Sequence, residues 1–428
     1  MTDPLSQLPR FSRAGHAGHC KRCLVGLPSS QTDIDGSRLA LAFYCIGSLD
    51  LLGVLEDSVP VTDRELWRAW LWEQQAAGKH GTGFRPSSFM TAQVPSEQSQ
   101  LAAQYMDHDA PHIIMTYTAL LSLAILRDDF SKLDRPGITI FLRSCQREDG
   151  SFSTVPGSHE FDLRTVYCAF AISSMLNDWS GIDVPRALAF IATCRTYEGG
   201  YGQSPFCEAQ GGTTYIAVAS LYLAASATGS VEPCLTPDER QLTIRWLLRN
   251  QDKSGGFYGR TGKDADACYC FWCGAALKIL GAADLVNSNA LAAFLGACQF
   301  KYGGIGKAPG ENPGDHFPVI NCCSRFIASL WITDPYHTYL SIAALSMYPP
   351  GLSDSHPNFQ SWRFASLDPL LNAREETVQW IREHVPVPGV NCSRSRLMGR
   401  SLYSDSVLTS THKGFDGCFG SEDCYVLL

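Results

Sequence analysis

One short signature recurs along most of the chain and limits what the chain can fold into. It is a Gly-containing turn followed directly by an aromatic or aliphatic residue, and its copies end at or surround Phe84, Phe152, Tyr201, Phe257 and Ile305. The last four copies are spaced by 49, 56 and 48 residues. A helix-like stretch precedes each copy, as at 135–145, and a more apolar one follows, as at 213–225. This pattern predicts a repeat of two helices joined by a Gly-rich loop.

The repeat determines the fold class that we predict. A helix pair cannot bury its apolar faces alone, so stacked copies form either an open solenoid or a closed ring. The second helices are the more apolar set and carry Tyr, Thr, Cys and Trp, which suit the lining of a pocket. The sequence shows hardly any pattern typical of β-strands. We therefore predict an all-α fold, an α-α barrel (toroid) of repeated helix pairs over residues 1–385, with inner helices around an apolar cavity.

Two segments depart from the repeat. Residues 315–333 interrupt the last copy with a mixed apolar run that has neither helical nor strand periodicity. We interpret this stretch as an atypical insertion, which is either a real loop or a retained intron translated in frame. Residues 386–428 are Ser-rich and polar, and we predict that this tail has no fixed structure.

Composition excludes several classes of protein. The chain has 428 residues, of which 45% are hydrophobic and 18% charged, so it can bury a large core. A net charge of −8 argues against a general nucleic-acid binder. The longest apolar stretch, around 113–126, is too short to span a bilayer. The N-terminus lacks an apolar signal region, so we expect a cytoplasmic protein whose 17 cysteines are buried thiols or metal ligands.

A candidate metal site lies at the start of one inner helix. Asp266 and Cys268 could bind one zinc ion if the Asp-x-Cys unit straddles the helix start, where the backbone is not yet helical. The candidate third ligand is His337, which occupies the equivalent place at the start of the next inner helix. The alternative is that these are ordinary surface and core residues, the usual interpretation of this spacing alone.

The chemistry of the candidate site follows from its donor set. Three ligands of O, S and N type leave zinc an open fourth position, as in catalytic sites, where an incoming thiol could bind as thiolate. Arg260 and Lys263 in the preceding loop could hold a polyanionic leaving group such as diphosphate, and Tyr269 adds a hydroxyl donor. The alternative for the two cations is a solvated loop.

Several motifs together resemble a known family. The stretch GFYGRTGKDADACYCFW at 256–272, with DPYHT downstream, resembles the β subunits of the protein prenyltransferases. The similarity covers about residues 15–310 and 334–385 and includes HCKRCLVGLP, FDLRTVYCAFA and EAQGGTTYIAVASL. It implies an α-α barrel, an obligate heterodimer with a helical-repeat α subunit, and one zinc ion per β subunit. The implied site residues are zinc ligands Asp266, Cys268 and His337, diphosphate contacts Arg260, Lys263 and Tyr269, the cavity-wall Trp272 and the pocket arginine Arg164.

Three positions bear on the branch of the family. Ala40 lies where farnesyltransferases carry a bulky Trp, so the cavity should accept a C20 chain. Lys307 lies where type I geranylgeranyltransferases place a lysine and the other branches an acidic residue, so we expect Mg²⁺ not to be required. Gln210 departs from the family, which usually has a diphosphate-contacting His there. Helix packing for Ala40 and a solvated loop for Lys307 remain compatible with either lipid.

The resulting hypothesis is the catalytic β subunit of protein geranylgeranyltransferase type I. It would transfer a geranylgeranyl group from geranylgeranyl diphosphate to the cysteine thiol of a C-terminal CaaX box, as found on small GTPases. The enzyme alternatives are a Rab geranylgeranyltransferase or farnesyltransferase β subunit. A terpene cyclase would need an Asp-x-Asp-Asp run, and this region has only Asp264 and Asp266. The non-enzyme alternative is a helical-repeat scaffold that binds peptides or lipids.

One further signal has a simpler interpretation. His16, His19, Cys20 and Cys23 resemble a zinc knuckle, but they fall within a predicted N-terminal helix. We assign them to helix packing.

Overall fold

The computed structural model describes residues 5, 8–26, 36–88, 109–228, 235–310 and 335–386. The predicted insertion at 315–333 and all but the first residue of the predicted tail at 386–428 lie outside the described residues, so both stay predictions.

The described residues are mainly helical. The helices are α1 (Arg13–Val25), α2 (Arg38–Leu51), α3 (Leu55–Ser58), α4 (Val61–Glu73), α5 (Ile113–Ile125), α6 (Arg135–Cys145), α7 (Leu163–Leu176), α8 (Val184–Thr193), α9 (Gly211–Thr228), α10 (Pro237–Arg249), α11 (Ala267–Ile279), α12 (Ser288–Ala297), α13 (Pro335–Met347) and α14 (Glu375–His384). Three antiparallel hairpins are formed by β1 (Gln75–Gly78) with β2 (Gly81–Phe84), β3 (Phe257–Tyr258) with β4 (Ala265–Asp266), and β5 (Leu367–Asp368) with β6 (Ala373–Arg374).

Six helices form a closed inner ring. Helix α2 packs on α5, and the order continues through α7, α9, α11 and α13, which packs back on α2. Helices α1, α4, α6, α8, α10 and α12 pack outside this ring. The predicted all-α toroid is therefore confirmed. None of the described helices combines the length and apolar character needed to cross a membrane.

Burial distinguishes the inner from the outer helices. Every residue of α5 is buried, whereas the outer helix α6 buries Ile138, Phe141 and Leu142 and exposes Ile140. A helix with an apolar face and a polar face belongs at the surface, and one that is apolar all round belongs inside. This contrast explains why the more apolar member of each helix pair lines the ring.

The repeated glycine allows the Gly-rich loop to pack closely against the next outer helix. Gly255 has φ +94°, and a Cβ there would overlap the backbone of Ala290 in α12. Gly303 has φ +96°, and its Cβ would overlap the backbone of Gly15 in α1. Only glycine combines this left-handed conformation with so close an approach. The second contact joins the last repeat to the first, so the same signature that builds the ring also closes it.

A C-terminal hairpin is held inside the ring by tyrosines. The hydroxyls of four inner-helix tyrosines donate to four consecutive carbonyls, at 2.6–3.0 Å: Tyr215 to Pro369, Tyr167 to Leu370, Tyr117 to Leu371 and Tyr339 to Asn372. Asp50 of α2 adds contacts to Arg374 and Thr377, at 3.3 and 3.0 Å. The β5–β6 turn is thus tied to α5, α7, α9 and α13, and the segment that follows it is tied to α2.

Candidate metal and anion site

The three predicted metal ligands come together in the structure. The ligand atoms of Asp266, Cys268 and His337 all lie within 4.8 Å of one another, and His337 Nε2 is 3.2 Å from Asp266 Oδ1. Their exposed fractions are 7%, 4% and 5%. Among the described residues, this is the group of three or more such donors that is close enough to share a metal ion.

Local structure explains how Asp266 and Cys268 converge. Asp266 is the last residue of β4, pairs with Phe257, and has an extended backbone at φ −136° and ψ 137°. It also caps α11, since its Oδ1 accepts a hydrogen bond from the Cys268 amide at 2.9 Å. The Asp-x-Cys unit therefore straddles the strand-to-helix junction, as the sequence predicts. Helix α13 packs beside α11 and carries His337 as its third residue.

Burial controls the charge of these donors. Burial alone would raise the pKa of Asp266, but the attraction of His337 and hydrogen bonds from His337 and Cys268 outweigh it and lower the pKa. Burial, with the negative charge of Asp266, raises the pKa of Cys268 to about 12. Zinc accepts a donor set of one carboxylate, one thiolate and one imidazole. The residues therefore fit a zinc ion.

The cationic loop lies beside the first turn of α11. Tyr269 stacks so tightly on this loop that a Cβ at Gly259 would lie 2.6 Å from Tyr269 Cε1. Arg260 Nη1 is 3.2 Å from Glu208 Oε2, an ion pair that the sequence did not predict. Lys263 is exposed at the loop tip. Tyr269 thus packs against the loop that carries Arg260, and Lys263 is exposed in the same loop.

The neighbouring loops bring two more predicted residues close. The Lys307 carbonyl accepts a hydrogen bond from the Ala267 amide at 2.7 Å, which places the last Gly-rich loop against the start of α11. On the other side, a Cβ at Gly212 would lie 3.7 Å from Gln210 Oε1 and 3.9 Å from the Trp272 ring. Gln210 and Lys307 therefore flank the beginning of α11.

Arg164 lies at the start of α7, two inner helices before α11 in the order of the ring. Its Nη2 lies 2.7 Å from Asp162 Oδ2, which also accepts from Gln203 at 2.6 Å. Burial lowers the pKa of Arg164, but Asp162 outweighs burial and the net shift is upward. The structure thus holds Arg164 as a fixed cation at the start of an inner helix.

Aromatic rings line the interior next to the site. Trp272 Nε1 donates to the Tyr336 hydroxyl at 3.0 Å, and the Tyr215 ring lies 5.3 Å from that of Trp272. Tyr44 of α2 lies 5.6 Å from Tyr336. Ala40, fully buried, is one helical turn before Tyr44 and so shares its face. Trp272 and Ala40, the residues predicted for the wall and the floor of the cavity, therefore both lie buried on inner helices of the ring.

Sequence reasoning missed Glu208, Tyr215 and Tyr336. Tyr336 could have been found because it directly precedes His337. Tyr215 has counterparts at similar positions of α5 and α7, which is a repeat signal. The pairing of Glu208 with Arg260 had no local signal, because 52 residues separate them.

A separate cavity of about 250 Å³ lies at the far end of α13. It is lined by residues such as Leu345, Phe359 and Trp362 and contains none of the predicted site residues. The side chains predicted to bind the metal and the diphosphate therefore lie outside this cavity.

The chain matches known proteins over most of its length. Residues 11–373 match the model of the family described as "Prenyltransferase alpha-alpha toroid domain". Two similar relatives are both described as "Geranylgeranyl transferase type-1 subunit beta". The one from Arabidopsis thaliana is 33% identical over 353 residues, covering 79% of this chain and 85% of the relative. The one from Dictyostelium discoideum is 35% identical over 338 residues, covering 76% and 88%.

A solved structure has the same fold. It is the Candida albicans protein geranylgeranyltransferase-I complexed with GGPP, with a TM-score of 0.70 and 23% identity. The match covers 88% of this chain and 100% of the other.

Proposed function

This chain belongs to the prenyltransferase alpha-alpha toroid family, and from that premise we propose that it is the catalytic β subunit of a protein geranylgeranyltransferase type I. It transfers a geranylgeranyl group from geranylgeranyl diphosphate to the cysteine thiol of a C-terminal CaaX box, as on small GTPases. The observation that carries the proposal is one site in which a three-donor metal group adjoins a cationic loop and an aromatic wall.

In this proposal, one set of residues binds the acceptor thiol through the metal and another set binds the diphosphate. Asp266, Cys268 and His337 would hold one zinc ion, which supplies a binding position for the acceptor cysteine as a thiolate at neutral pH. Arg260 and Lys263 attract the diphosphate, and the Tyr269 hydroxyl donates a hydrogen bond to it. These groups stabilise negative charge where it increases as the C–O bond to the isoprenoid breaks.

The other positions bear on the lipid and on charge balance. Trp272 contributes to the cavity wall, and Ala40 leaves room at its end for a fourth isoprene unit. Lys307 supplies a fixed cation near the diphosphate, so soluble Mg²⁺ is not required. Gln210, where the family usually has His, offers the diphosphate a neutral amide donor, and Arg164 adds a partly buried positive charge from the start of α7.

The proposal includes a partner and a compartment. A helical-repeat α subunit completes the enzyme as a heterodimer, as the name "subunit beta" of the relatives suggests. We place the enzyme in the cytoplasm, in agreement with the buried free thiols of Cys145, Cys168 and Cys194.

One experiment tests the reaction. The chain is co-expressed with an α subunit, and transfer to CaaX peptides is measured with geranylgeranyl and farnesyl diphosphate. We expect a higher kcat/KM for geranylgeranyl diphosphate, with a peptide that ends in Leu as acceptor. Preferred farnesyl transfer would assign the chain to the farnesyltransferase branch, and no transfer with either lipid would contradict the enzyme proposal.

A second experiment tests the ligands. The heterodimer should contain about one zinc ion per β subunit, and Cys268→Ala should lose both metal and activity because the thiolate ligand is gone. Cys270→Ala is the matched control, since Cys270 is a buried thiol of the same helix outside the metal-binding group. Full zinc content in Cys268→Ala would show that the ligands are misassigned.

A further inference from the structure

The loop before α9 places a carboxylate beside the cationic loop before α11. Glu208 Oε2 lies 3.2 Å from Arg260 Nη1, which is close enough for a hydrogen bond within an ion pair. Gln210, a proposed diphosphate contact, lies two residues after Glu208 in the same loop. An acidic side chain beside a group that is proposed to bind a polyanion is unexpected, because it repels the same anion. Glu208 therefore needs a role that offsets this repulsion.

The backbones of the two loops are joined next to this ion pair. The Gly211 amide donates to the carbonyl of Gly259, the residue before Arg260, at 2.8 Å. The Tyr269 ring packs against both glycines, since a Cβ at Gly211 would lie 3.1 Å from Tyr269 Cδ1 and one at Gly259 would lie 2.6 Å from Tyr269 Cε1. The loop that carries Glu208 and the loop that carries Arg260 are thus held together at the candidate diphosphate site.

The loop of Glu208 is also anchored at its other end. Gln203 Nε2 donates to Asp162 Oδ2 at 2.6 Å, and the Gln203 carbonyl accepts from the Leu163 amide at 3.1 Å. Between the two anchors, Phe206 has φ +67°, in the left-handed region that non-glycine residues rarely adopt. Backbone strain of this kind persists only where surrounding contacts impose the conformation, and it is concentrated at functional sites. Glu208 therefore projects from a loop that is fixed at both ends.

The two partners of the ion pair differ in exposure. The side chain of Arg260 is 19% exposed and that of Glu208 is 55% exposed. An ion pair with so exposed a partner contributes little to the stability of the fold. Its effect on Arg260 is geometric instead. An arginine side chain has several rotatable bonds and five N–H donors, so one contact at Nη1 restricts its conformation without using all of the donors.

We propose that Glu208 is a positioning residue for Arg260 and holds its guanidinium in the conformation that binds the diphosphate of the lipid substrate. The role rests on the proposed function, in which Arg260 contacts the diphosphate and Glu208 acts through Arg260. A preset arginine loses less conformational entropy when the anion binds, so the affinity for the diphosphate is higher. This gain outweighs the repulsion between carboxylate and diphosphate, which water and salt weaken at an exposed group.

Equilibrium binding of geranylgeranyl diphosphate to the α/β heterodimer tests this role. We expect Glu208→Ala to raise the Kd about fivefold, because Arg260 is no longer held in place. Glu208→Gln keeps an oxygen acceptor for Nη1, so its Kd should stay within about twofold of wild type. Glu198→Ala is the matched control, because Glu198 is an exposed glutamate of the preceding Gly-rich turn, and its Kd should equal that of wild type. The midpoint of thermal unfolding should be unchanged in all three variants.

A double-mutant cycle assigns the effect to Arg260. In an Arg260→Ala background, Glu208→Ala should change the Kd by less than about twofold, because the side chain that Glu208 positions is absent. Steady-state kinetics separate the two substrates. In Glu208→Ala the KM for the lipid diphosphate should rise and the KM for the CaaX peptide should stay near wild type, since the ion pair acts on the diphosphate and not on the thiol.

Three results would overturn the role of Glu208 while Arg260→Ala still weakens binding. One is a Kd of Glu208→Ala equal to or below that of wild type, which would mean that the carboxylate has no effect or competes with the diphosphate for Arg260. Another is the same loss in Glu208→Gln as in Glu208→Ala, and the third is an additive loss in the Arg260→Ala background. If Arg260→Ala itself binds the lipid diphosphate as wild type does, the diphosphate contact of the proposed function is wrong, and the role of Glu208 is refuted with it.

Discussion

The tyrosine contacts to the β5–β6 turn give a prediction whose size follows from the structure. Tyr339→Phe removes one hydroxyl and leaves the ring in place. That hydroxyl donates to the Asn372 carbonyl at 2.6 Å, and the exposed fractions of Tyr339 and Asn372 are 1% and 4%. Asn372 also has φ +52°, a conformation that needs support from its surroundings. The variant therefore leaves a buried carbonyl at the tip of the turn with its tyrosine partner gone.

The expected cost is that of a buried polar group whose partner is removed. This cost is about 1–3 kcal/mol, since the carbonyl cannot recover its bond to water. Because the aromatic ring at position 339 remains, the variant loses no buried apolar surface, and no further free-energy cost is added. A change of this size multiplies the population of the locally open turn by roughly 5- to 150-fold.

Hydrogen exchange measured on the intact heterodimer reports this opening directly. We expect peptides covering 367–374 to exchange about 5-fold faster or more in Tyr339→Phe, with peptides of α7 unchanged. Tyr197→Phe is the matched control, because Tyr197 is 90% exposed and its hydroxyl donates to solvent-exposed Glu198. Exchange of 367–374 within twofold of wild type in a folded variant would refute the idea that the tyrosine hydroxyls hold the turn.

Three further predictions concern the proposed reaction. Gly259→Ala places a methyl group against the Tyr269 ring, so displacement of that ring should raise the KM for the lipid diphosphate by about tenfold in steady-state assays. Ala40→Trp fills the end of the cavity and should shift the ratio of specificity constants toward farnesyl diphosphate by about tenfold or more; an unchanged ratio would mean that Ala40 does not face the lipid. The wild-type single-turnover rate should hardly respond to millimolar Mg²⁺, whereas Lys307→Asp should be slower and respond to it. A wild-type rate that rises steeply with Mg²⁺ would contradict the role of Lys307.

Much of the fold could be predicted because the sequence signals that specify it are local and recur in every repeat. Each Gly-rich turn marks the loop of one helix pair, and the more apolar helix of the pair must be the inner one. The positions of Asp266 and Cys268 were predictable for the same reason, since an inner helix begins shortly after the Gly-rich loop at 255–256. His337 could be added because it holds the equivalent place in the next repeat.

The amino-acid sequence alone was therefore enough to predict the all-α class, the repeat and the three candidate metal ligands. The closure of the helical ring is seen only in the tertiary structure. There Gly303 packs against Gly15, and His16 accepts a hydrogen bond from the last repeat, 288 positions away in sequence. The tyrosine contacts to 369–372 also depend on packing. Local sequence encodes helix, turn and burial, because these depend on near neighbours. The partners across a ring depend on how many repeats close it, and that is a property of the assembled tertiary structure.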